Sequence, residues 1–364
     1  MSLLASLGRI LPPPSLIRIG GVAIDISDSS VKYLSLKPNG IGSQDLSIKH
    51  FGEIKIDSNI ISRGDINDAE SLVKILREIK KKTKADYCRL SLPEERVYFF
   101  ELEISKGLPY KELRHQIEFK LEENIPISPR DSYFDFEVVE ELSPSTDRVV
   151  VAVCPKEIIN KYYEVCKLAK LTPLSFEAES GAIARAVLSE DNNSTNLIID
   201  IGRAKTSFSI VEGVALSYTS TIDIGCDDFL KSLKKQFPQS SDEALEKLKY
   251  QIGLIKGVDG KDPSESLLPL VSTIKDEIKT RIQYWDSRSE EANKIDKIIV
   301  CGGGANIRGL TNYLTETIGI ETRLANVWQN VFDYQHLIPP IKKEDSYAYA
   351  TTIGLALTSF SDFL

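Results

Sequence analysis

The feature that most constrains the fold of this chain is a short hairpin pattern that occurs twice, 175 residues apart. The segments VAIDISDSSVKYLSL and LIIDIGRAKTSFSIV align without a gap, so that Asp25 falls on Asp200 and Val31 on Thr206. Each is an apolar run ending in Asp-Ile, then a tight turn and a second apolar run, a pattern typical of two antiparallel strands. The repeat predicts two similar α/β lobes, each opened by a hairpin, with a cleft between them.

The two turns have the chemistry that a metal-bound triphosphate requires. Carboxylates such as Asp25 and Asp200 hold Mg²⁺ or its waters, and backbone N–H groups in a tight turn approach phosphate oxygens. The second turn has Gly202 at its start, whereas the first has Ser27 followed by Asp28. A serine forced to positive φ would cost about 1 kcal/mol, and a carboxylate beside a phosphate would cost about 1–4 kcal/mol. We therefore expect the first turn to bind phosphate less well than the second.

Strand and helix patterns divide the chain around these hairpins. A strand–helix–strand–strand block of about 60 residues predicts a small sheet covered by one helix; the apolar stripe of that helix is Leu113, Ile117, Leu121 and Ile125. The predicted boundaries are 1–15 for an N-terminal tail, 16–93 and 156–190 for the first lobe, 94–155 for the inserted subdomain, 191–340 for the second lobe with a helix-rich subdomain at about 227–290, and 341–364 for a C-terminal segment returning to the first lobe.

The composition argues against several classes of function. The net charge of −8 is opposite to that of a general nucleic-acid binder. The five cysteines form no CxxC pair and the three histidines show no ligand spacing, which disfavours a zinc site or a disulfide framework and fits a reducing compartment. No apolar stretch approaches the roughly 20 residues of a membrane span. We interpret residues 1–15 as a loosely held tail, with a weak contact to a membrane surface or partner as the alternative.

A glycine-rich segment near the C-terminal end is the third informative pattern, after the two hairpins. Residues 300–310, VCGGGANIRGL, predict a buried strand, a glycine loop and the start of a helix. With both hairpins present in order, the chain resembles the actin-like ATPase superfamily, which also contains Hsp70 and the sugar kinases. The resemblance implies an α/β, two-lobed actin-like ATPase fold, made of duplicated ribonuclease H-like domains, with a small α+β subdomain inserted in the first lobe.

Within that superfamily the chain resembles the PilM family of type IV pilus assembly proteins, and also their cell-division relative FtsA. The segments that carry this resemblance, which begins at about residue 16, are QIEFKLEENIPISPRDSYFDFEVV, VAVCPKEIINKYYEVCKLAKLTPLSFEAES, EALEKLKYQIG and SYAYATTIGLAL. An FtsA-like division scaffold is one alternative, although the closing SFSDFL does not match the basic amphipathic membrane helix of FtsA. A small-molecule kinase of the same superfamily is the other, and would need a further catalytic base.

The resemblance implies a partner and a location as well as a fold. The chain would bind ATP and Mg²⁺ and act in the assembly of a type IV pilus or a related secretion or competence system. Its inserted subdomain would bind the cytoplasmic N-terminal peptide of a PilN-like inner-membrane protein, which would hold this cytoplasmic chain at the inner membrane. Contacts with other pilus components, and self-association, stay open.

The resemblance also assigns individual residues. Asp25 and Asp200 would orient Mg²⁺ and its waters, and Glu179 would position a hydrolytic water; these three are the catalytic candidates. The residues implied to contact ATP are Ser27, Ser29 and Lys32 in the first turn, Gly202 and Thr206 in the second, Glu246 and Lys249 on a helix, and Gly302, Gly303, Gly304 and Arg308 in the glycine loop. With Ser27 and Asp28 in the first turn, we expect ATP hydrolysis to be slow or absent, and a nucleotide-free scaffold is the alternative.

Overall fold

Two five-stranded sheets of the same topology form the centre of the molecule. The computed structural model describes residues 19–39, 45–57, 59–143, 145–213, 215–255, 262–288, 294–335 and 337–360. The predicted tail, 1–15, and the last four residues lie outside these ranges. The strands are β1 (Val22–Ile26), β2 (Ser30–Pro38), β3 (Leu46–Lys55), β4 (Ile61–Ser62), β5 (Asp65–Ile66), β6 (Tyr87–Leu92), β7 (Tyr98–Ser105), β8 (Ser132–Ser143), β9 (Thr146–Pro155), β10 (Thr172–Ala178), β11 (Thr195–Ile201), β12 (Thr206–Glu212), β13 (Ala215–Ile222), β14 (Lys297–Cys301) and β15 (Glu321–Leu324).

The strand orders show that the chain is built from one unit used twice. The first sheet runs β10-β6-β1-β2-β3 and the second runs β15-β14-β11-β12-β13. In each, the opening hairpin and the third strand are antiparallel, and the other two strands are parallel to the first. Asp25 pairs with Lys32 and Asp200 with Ser207, which correspond at the repeat spacing. The predicted duplication, and with it the two-lobed actin-like fold, is confirmed.

Helices cover both sheets and connect the lobes. They are α1 (Ala69–Thr83), α2 (Tyr110–Asn124), α3 (Lys156–Leu168), α4 (Glu179–Val187), α5 (Cys226–Gln236), α6 (Asp242–Gln251), α7 (Ser264–Asp286), α8 (Leu310–Ile318), α9 (Lys343–Ser346) and α10 (Ala350–Leu357). Helix α10 packs on the first sheet and crosses α4 so closely that a Cβ on Gly354 would lie 1.7 Å from the carbonyl oxygen of Ala182. No helix in the described ranges combines the length and apolarity needed to cross a bilayer.

The inserted subdomain forms a separate small sheet with its own core. Strands β7, β9 and β8 pair antiparallel in that order, and α2 covers one face. The predicted stripe lies on the covered side: Ile117, Leu121 and Ile125 are buried against valines of β9, and Leu113 packs at the margin. Arg148 on β9 makes a two-pronged ion pair with Glu212 at the end of β12, which joins the insert to the second lobe.

Candidate functional site

The carboxyl ends of the central parallel strands of both sheets supply the candidate site. In the first lobe these ends carry Asp25 on β1, the turn after β6 and Glu179 after β10; in the second they carry Asp200 on β11 and Gly302 after β14. Open α/β sheets bind ligands at this edge, because loops of the same polarity converge there. The sequence repeat therefore places two equivalent aspartates at equivalent edges.

The first turn closes without backbone strain. The N–H of Ser27 donates to the carbonyl oxygen of Ser30 at 3.0 Å, which leaves the N–H groups of the two central residues out of that bond. Among the described non-glycine residues only Arg63, Lys84 and Lys170 have positive φ. The expected strain at Ser27 is therefore wrong, since this turn needs no left-handed residue at that position.

Asp28 is bound within the first lobe. Its carboxylate accepts hydrogen bonds from the N–H of Arg63 at 2.8 Å and of Gly64 at 3.2 Å, in the turn between β4 and β5. Both donors have positive φ, 49° and 72°, a conformation that points successive N–H groups at an anion. These bonds direct the Asp28 carboxylate towards the turn between β4 and β5. The expected repulsion between Asp28 and a phosphate stays a prediction.

Asp25 is buried at the end of β1 and has one close polar partner from another strand. The hydroxyl of Ser91 on β6 donates to its Oδ1 at 2.8 Å. Lys32, opposite Asp25 on β2, donates to the hydroxyl of Ser30 at 3.1 Å and lies 3.7 Å from Glu53. Ser91 was not identified from the sequence, because its role depends on the parallel pairing of β1 with β6.

The second turn rests on the start of a helix. Its closing bond, from the N–H of Gly202 to the carbonyl oxygen of Lys205 at 2.9 Å, matches that of the first turn. The N–H groups of Cys226 and Asp227, at the start of α5, donate to the carbonyl oxygens of Gly202 and Arg203 at 3.0 Å each. The turn is thus tied to the start of α5.

Thr206 has a structural position in this arrangement. It has no exposed surface, and its hydroxyl donates to the carbonyl oxygen of Ile224 at 2.7 Å. A fully buried side chain offers no atom to a ligand in this conformation. The structure therefore does not bear out a direct phosphate contact by the Thr206 side chain, which instead ties β12 to the chain that enters α5.

The surroundings of Asp200 disfavour the charged form of its carboxylate. Burial and the nearby charge of Asp25 raise the pKa of Asp200 from 3.8 to about 6, while Lys205 and Lys32 oppose the shift. A Cβ on Gly302, whose φ is +86°, would lie 2.2 Å from Oδ1 of Asp200. Gly302 is thus required for the carboxylate to occupy its place.

A group of charged residues joins the two lobes beside these aspartates. Nζ of Lys205, in the second turn, lies 2.5 Å from Glu95 and 3.3 Å from Glu179. The sheet of the insert begins only at Tyr98, so Glu95, in the turn directly after β6, belongs with Glu179 to the first lobe. Burial, and then the charges of Asp25, Glu95 and Glu94, raise the pKa of Glu179 well above its ordinary value, against the lowering effect of Lys205.

Glu94, next to Glu95, has a different role. Its carboxylate accepts from the N–H and hydroxyl of Ser180 at 3.0 and 2.9 Å, in the first turn of α4. Sequence reasoning missed Glu94, Glu95 and Lys205. The only available signal was the pair of acids directly after a buried strand, in PEER, which is common on exposed turns.

The other residues implied to contact ATP lie on α6 and in the glycine loop. Glu246 and Lys249 form an ion pair at 2.7 Å, and Lys249 is 1% exposed with Nζ 5.0 Å from the ring centre of Tyr250. Arg308 donates through its backbone N–H to the carbonyl oxygen of Lys249 at 3.3 Å and through its side chain to that of Gln251 at 2.5 Å. The structure therefore brings these three predicted residues together.

The three consecutive glycines differ in what surrounds them. The N–H of Gly304 donates to the carbonyl oxygen of Ile201 at 2.8 Å, and a Cβ on Gly304 would lie 2.3 Å from the Ile201 side chain. Gly302 packs on Asp200. A Cβ on Gly303 would meet only Ala348, at 3.8 Å. Packing within the protein therefore explains Gly302 and Gly304, while Gly303 is the one with open space beside it.

The donor set fits Mg²⁺ held largely through water. In the described part of the chain no three His, Cys, Asp or Glu side chains are close enough to hold a metal ion by themselves. Mg²⁺, however, usually keeps several waters and uses one or two carboxylates together with phosphates. Burial, and then the charge of Asp25 in the opposite lobe, raise the pKa of Asp200, and a divalent cation near both carboxylates would offset these effects.

Comparison with solved structures supports the same fold. A structure described as the PilM-PilN type IV pilus biogenesis complex matches with a TM-score of 0.76 and 20% identity, over 94% of this chain and 99% of that one. The ethanolamine utilization protein EutJ of Carboxydothermus hydrogenoformans matches at 0.54 and 13%, over 95% and 90%. MreB5 of Spiroplasma citri, solved bound to ADP, matches at 0.52 and 16%, over 92% and 94%. At these identities the likeness establishes the fold alone.

Comparison with protein families gives the identification. The family model described as type IV pilus assembly protein PilM matches residues 23–360, which is most of the chain. The match includes both hairpins, the inserted subdomain, the glycine loop and α10, the elements from which the site above is built. The chain therefore belongs to the PilM family of type IV pilus assembly proteins.

Proposed function

We propose that this chain binds ATP with Mg²⁺ between its two lobes and that it acts in type IV pilus assembly at the cytoplasmic face of the inner membrane. The observation that carries the proposal is the pair of equivalent aspartates, Asp25 and Asp200, at matching sheet edges and within electrostatic reach of each other. The MreB5 structure, with its bound ADP, gives the fold a precedent for a nucleotide.

In this proposal each part of the site has one task. Asp25 and Asp200 orient the waters of Mg²⁺, which would neutralise phosphate charge when bound. The central N–H groups of the two turns, at Asp28 and Ser29 and at Arg203 and Ala204, face the phosphates, with Lys32 beside them.

The remaining residues complete the nucleotide site. Glu246 and Arg308 form the ribose and base side, and the buried Lys249 holds Glu246 there through its ion pair. Gly303 is the glycine whose open face a ligand can approach. Gly302 and Gly304 pack closely against Asp200 and Ile201 and so hold the glycine loop in place. Glu179 orients a water for slow hydrolysis.

Calorimetric titration with Mg²⁺ and ATP tests the nucleotide part. We expect saturable binding to the wild type that is lost in Asp200→Ala. Asp223→Ala is the matched control, because Asp223 is an exposed second-lobe aspartate paired only with Arg63 among its described ion pairs. Absence of binding to the wild type, or equal binding to Asp200→Ala, would contradict the proposal.

We further propose that the inserted subdomain binds the cytoplasmic N-terminal peptide of a PilN-like inner-membrane protein. The PilM-PilN complex supports this choice of partner. A groove of about 330 Å³ between β7 and α2 is a suitable receptor; Leu102, Ile104, His115 and Phe119 line it. The ring of Phe119 is 75% exposed, which is unusual for an apolar side chain on a helix that covers a sheet.

A synthetic N-terminal peptide of the PilN protein from the same organism tests this contact. We expect the peptide to bind the full chain and to bind Phe119→Ala at least tenfold more weakly. Ile338→Ala is the control, since Ile338 is an equally exposed apolar residue outside the insert. Equal affinity for wild type and Phe119→Ala would exclude this groove.

A further inference from the structure

Lys205 differs from the other charged residues of the site because it reaches across the cleft. It is the last residue of the second turn, yet both of its ion-pair partners, Glu95 and Glu179, belong to the first lobe. The equivalent position in the first turn is Ser30, whose hydroxyl accepts from Lys32 within its own hairpin. The repeat therefore does not require a cross-lobe contact at this position.

Two shielded groups of ion pairs reach the second lobe: that of Arg148 in the insert with Glu212, and that of Lys205 with Glu95 and Glu179 beside the two turns. The side chains of Lys205, Glu95 and Glu179 are 25%, 22% and 9% exposed. The other cross-lobe pair near the turns, Arg63 with Asp223 at 3.1 Å, has both side chains more than three-quarters exposed. Exposed pairs contribute little, whereas removing one partner of a shielded pair leaves an uncompensated charge.

Glu179 depends on Lys205 for its charge balance. Within the described residues, Lys205 is the only cation at ion-pair distance from Glu179, while Asp25, Glu94 and Glu95 act on it with like charge. Burial lowers the pKa of Lys205, and the charges of Glu179 and Glu95 raise it by more, so that the lysine stays cationic. The ammonium group of Lys205 thus lies among the carboxylates of Glu179, Glu95 and Glu94, which would otherwise repel one another.

We infer that Lys205 is a positioning residue that holds Glu179 and Glu95 of the first lobe against the second phosphate turn, and so sets both the place of Glu179 and the closure of the cleft. The role of Glu179 in hydrolysis rests on the proposed function. The contact between the lobes does not, because it rests on the ion pairs of Lys205 alone.

The distance between the lobes tests this inference directly. Spin labels at Glu70→Cys on α1 and Lys235→Cys on α5 report it by pulsed electron paramagnetic resonance, because both positions are exposed and all five native cysteines are buried. In the nucleotide-free full chain we expect Lys205→Met to lengthen and broaden the distance distribution. Lys205→Arg should restore it, since arginine keeps the charge and the reach.

Two further variants exclude simpler explanations. Lys32→Met removes the other lysine that acts on Asp200, but its carboxylate partner Glu53 lies in the same lobe, so the distance should not change. Glu95→Gln removes the shorter of the two ion pairs from the first-lobe side and should shift the distribution in the same direction as Lys205→Met. It also provides the test if Lys205→Met does not fold.

The outcomes separate this inference from the proposed function. Unchanged distributions in Lys205→Met and Glu95→Gln, or an equal change in Lys32→Met, would overturn the positioning role whether or not ATP binds. Titration of the same wild-type protein with Mg²⁺ and ATP judges the nucleotide site. A wild type that binds no ATP but opens in Lys205→Met would overturn the proposed function and still support the contact between the lobes.

Discussion

The two repeated turns, Ser27–Ser30 and Gly202–Lys205, close in the same way but are attached to opposite sides of the molecule. Both close with a hydrogen bond from their first to their fourth residue, and both follow an aspartate in the same register. The first turn directs its charged side chain, Asp28, into its own lobe against the turn between β4 and β5. The second directs Lys205 into the opposite lobe. The same hairpin therefore makes contacts within its own lobe in the first copy and contacts with the opposite lobe in the second.

This comparison changes how substitutions in such turns are interpreted. A serine and an aspartate where glycine is preferred predict a damaged phosphate site, yet Ser27 is unstrained and Asp28 is engaged elsewhere. The substitutions that matter for function are then those behind the aspartates, at Ser91 and Gly302, and at Lys205. The following predictions test that view, starting with the largest expected effect.

Gly302→Ala should destabilise the second lobe by about 2–5 kcal/mol, since a positive φ and an overpacked site each cost a few kcal/mol. The added Cβ would lie 2.2 Å from Asp200 and 2.5 Å from the carbonyl oxygen of Ile201. Urea unfolding measures the loss. Gly107→Ala is the control, with a similar φ of +78° and open space around it. Equal losses in both variants would show that φ alone, and not the packing on Asp200, accounts for the effect.

Asp200 should make stability depend on pH in the absence of Mg²⁺ and nucleotide. Its pKa rises from 3.8 to about 6 on folding, so the folded state binds more protons between these values and stability falls as pH rises through them. Asp200→Asn should therefore be more stable than the wild type at pH 7, by up to about 3 kcal/mol, with the difference disappearing below pH 4.

Asp25→Asn sharpens that test. The charge of Asp25 contributes to the raised pKa of Asp200. The Asp25→Asn variant should therefore lose stability over a narrower pH range than the wild type. Thermal unfolding at a series of pH values measures all three proteins. A difference in stability between the wild type and Asp200→Asn that does not grow between pH 4 and 6 would contradict the raised pKa of Asp200.

Asp28→Ala should cost about 1–2 kcal/mol, because two backbone donors lose a charged acceptor in a partly exposed site. Its affinity for ATP should not rise. A carboxylate that faced the phosphates would give the opposite result, a tenfold or larger gain in affinity on removal. Calorimetry and chemical denaturation of the same variant distinguish the two arrangements.

Ser27→Gly should have the smallest effect, a loss of under about 1 kcal/mol. Glycine adds freedom to the unfolded chain and relieves no strain, since Ser27 does not have positive φ. Arg63→Gly, at a φ of +49°, is the matched comparison and should be neutral or stabilising if its exposed ion pair contributes little. A gain in stability in Ser27→Gly would restore the strained-turn explanation.

The sequence predicts most of the fold and part of the site. The repeat, the alternating strands and the glycine loop are local patterns, and they located both aspartates and the helix of the inserted subdomain. Strands β10 and β15 were missed, because both lie at the edges of their sheets and their burial does not alternate cleanly; β15 also has only 4 residues. The two-residue strands β4 and β5 carry no periodic signal at all.

The unpredicted part of the site consists of contacts between distant segments. Ser91 reaches Asp25 across 66 positions and Lys205 reaches Glu95 across 110. The direction of Asp28 is set by left-handed residues that lie 35 positions away. A single sequence contains no signal for such pairings, because they depend on which strands become neighbours and on which side chains that arrangement buries.

The central claim is that two equivalent aspartates, one from each lobe, serve one Mg²⁺–nucleotide site. A double-mutant cycle of Asp25→Asn and Asp200→Asn, with the affinity for Mg²⁺ and ATP measured by calorimetry, tests it most directly. Each single variant should weaken binding by about 10–100-fold, and the double variant should lose clearly less than the product of the two, because both act on the same ion. Losses that multiply, or a single variant that binds like the wild type, would contradict a shared site.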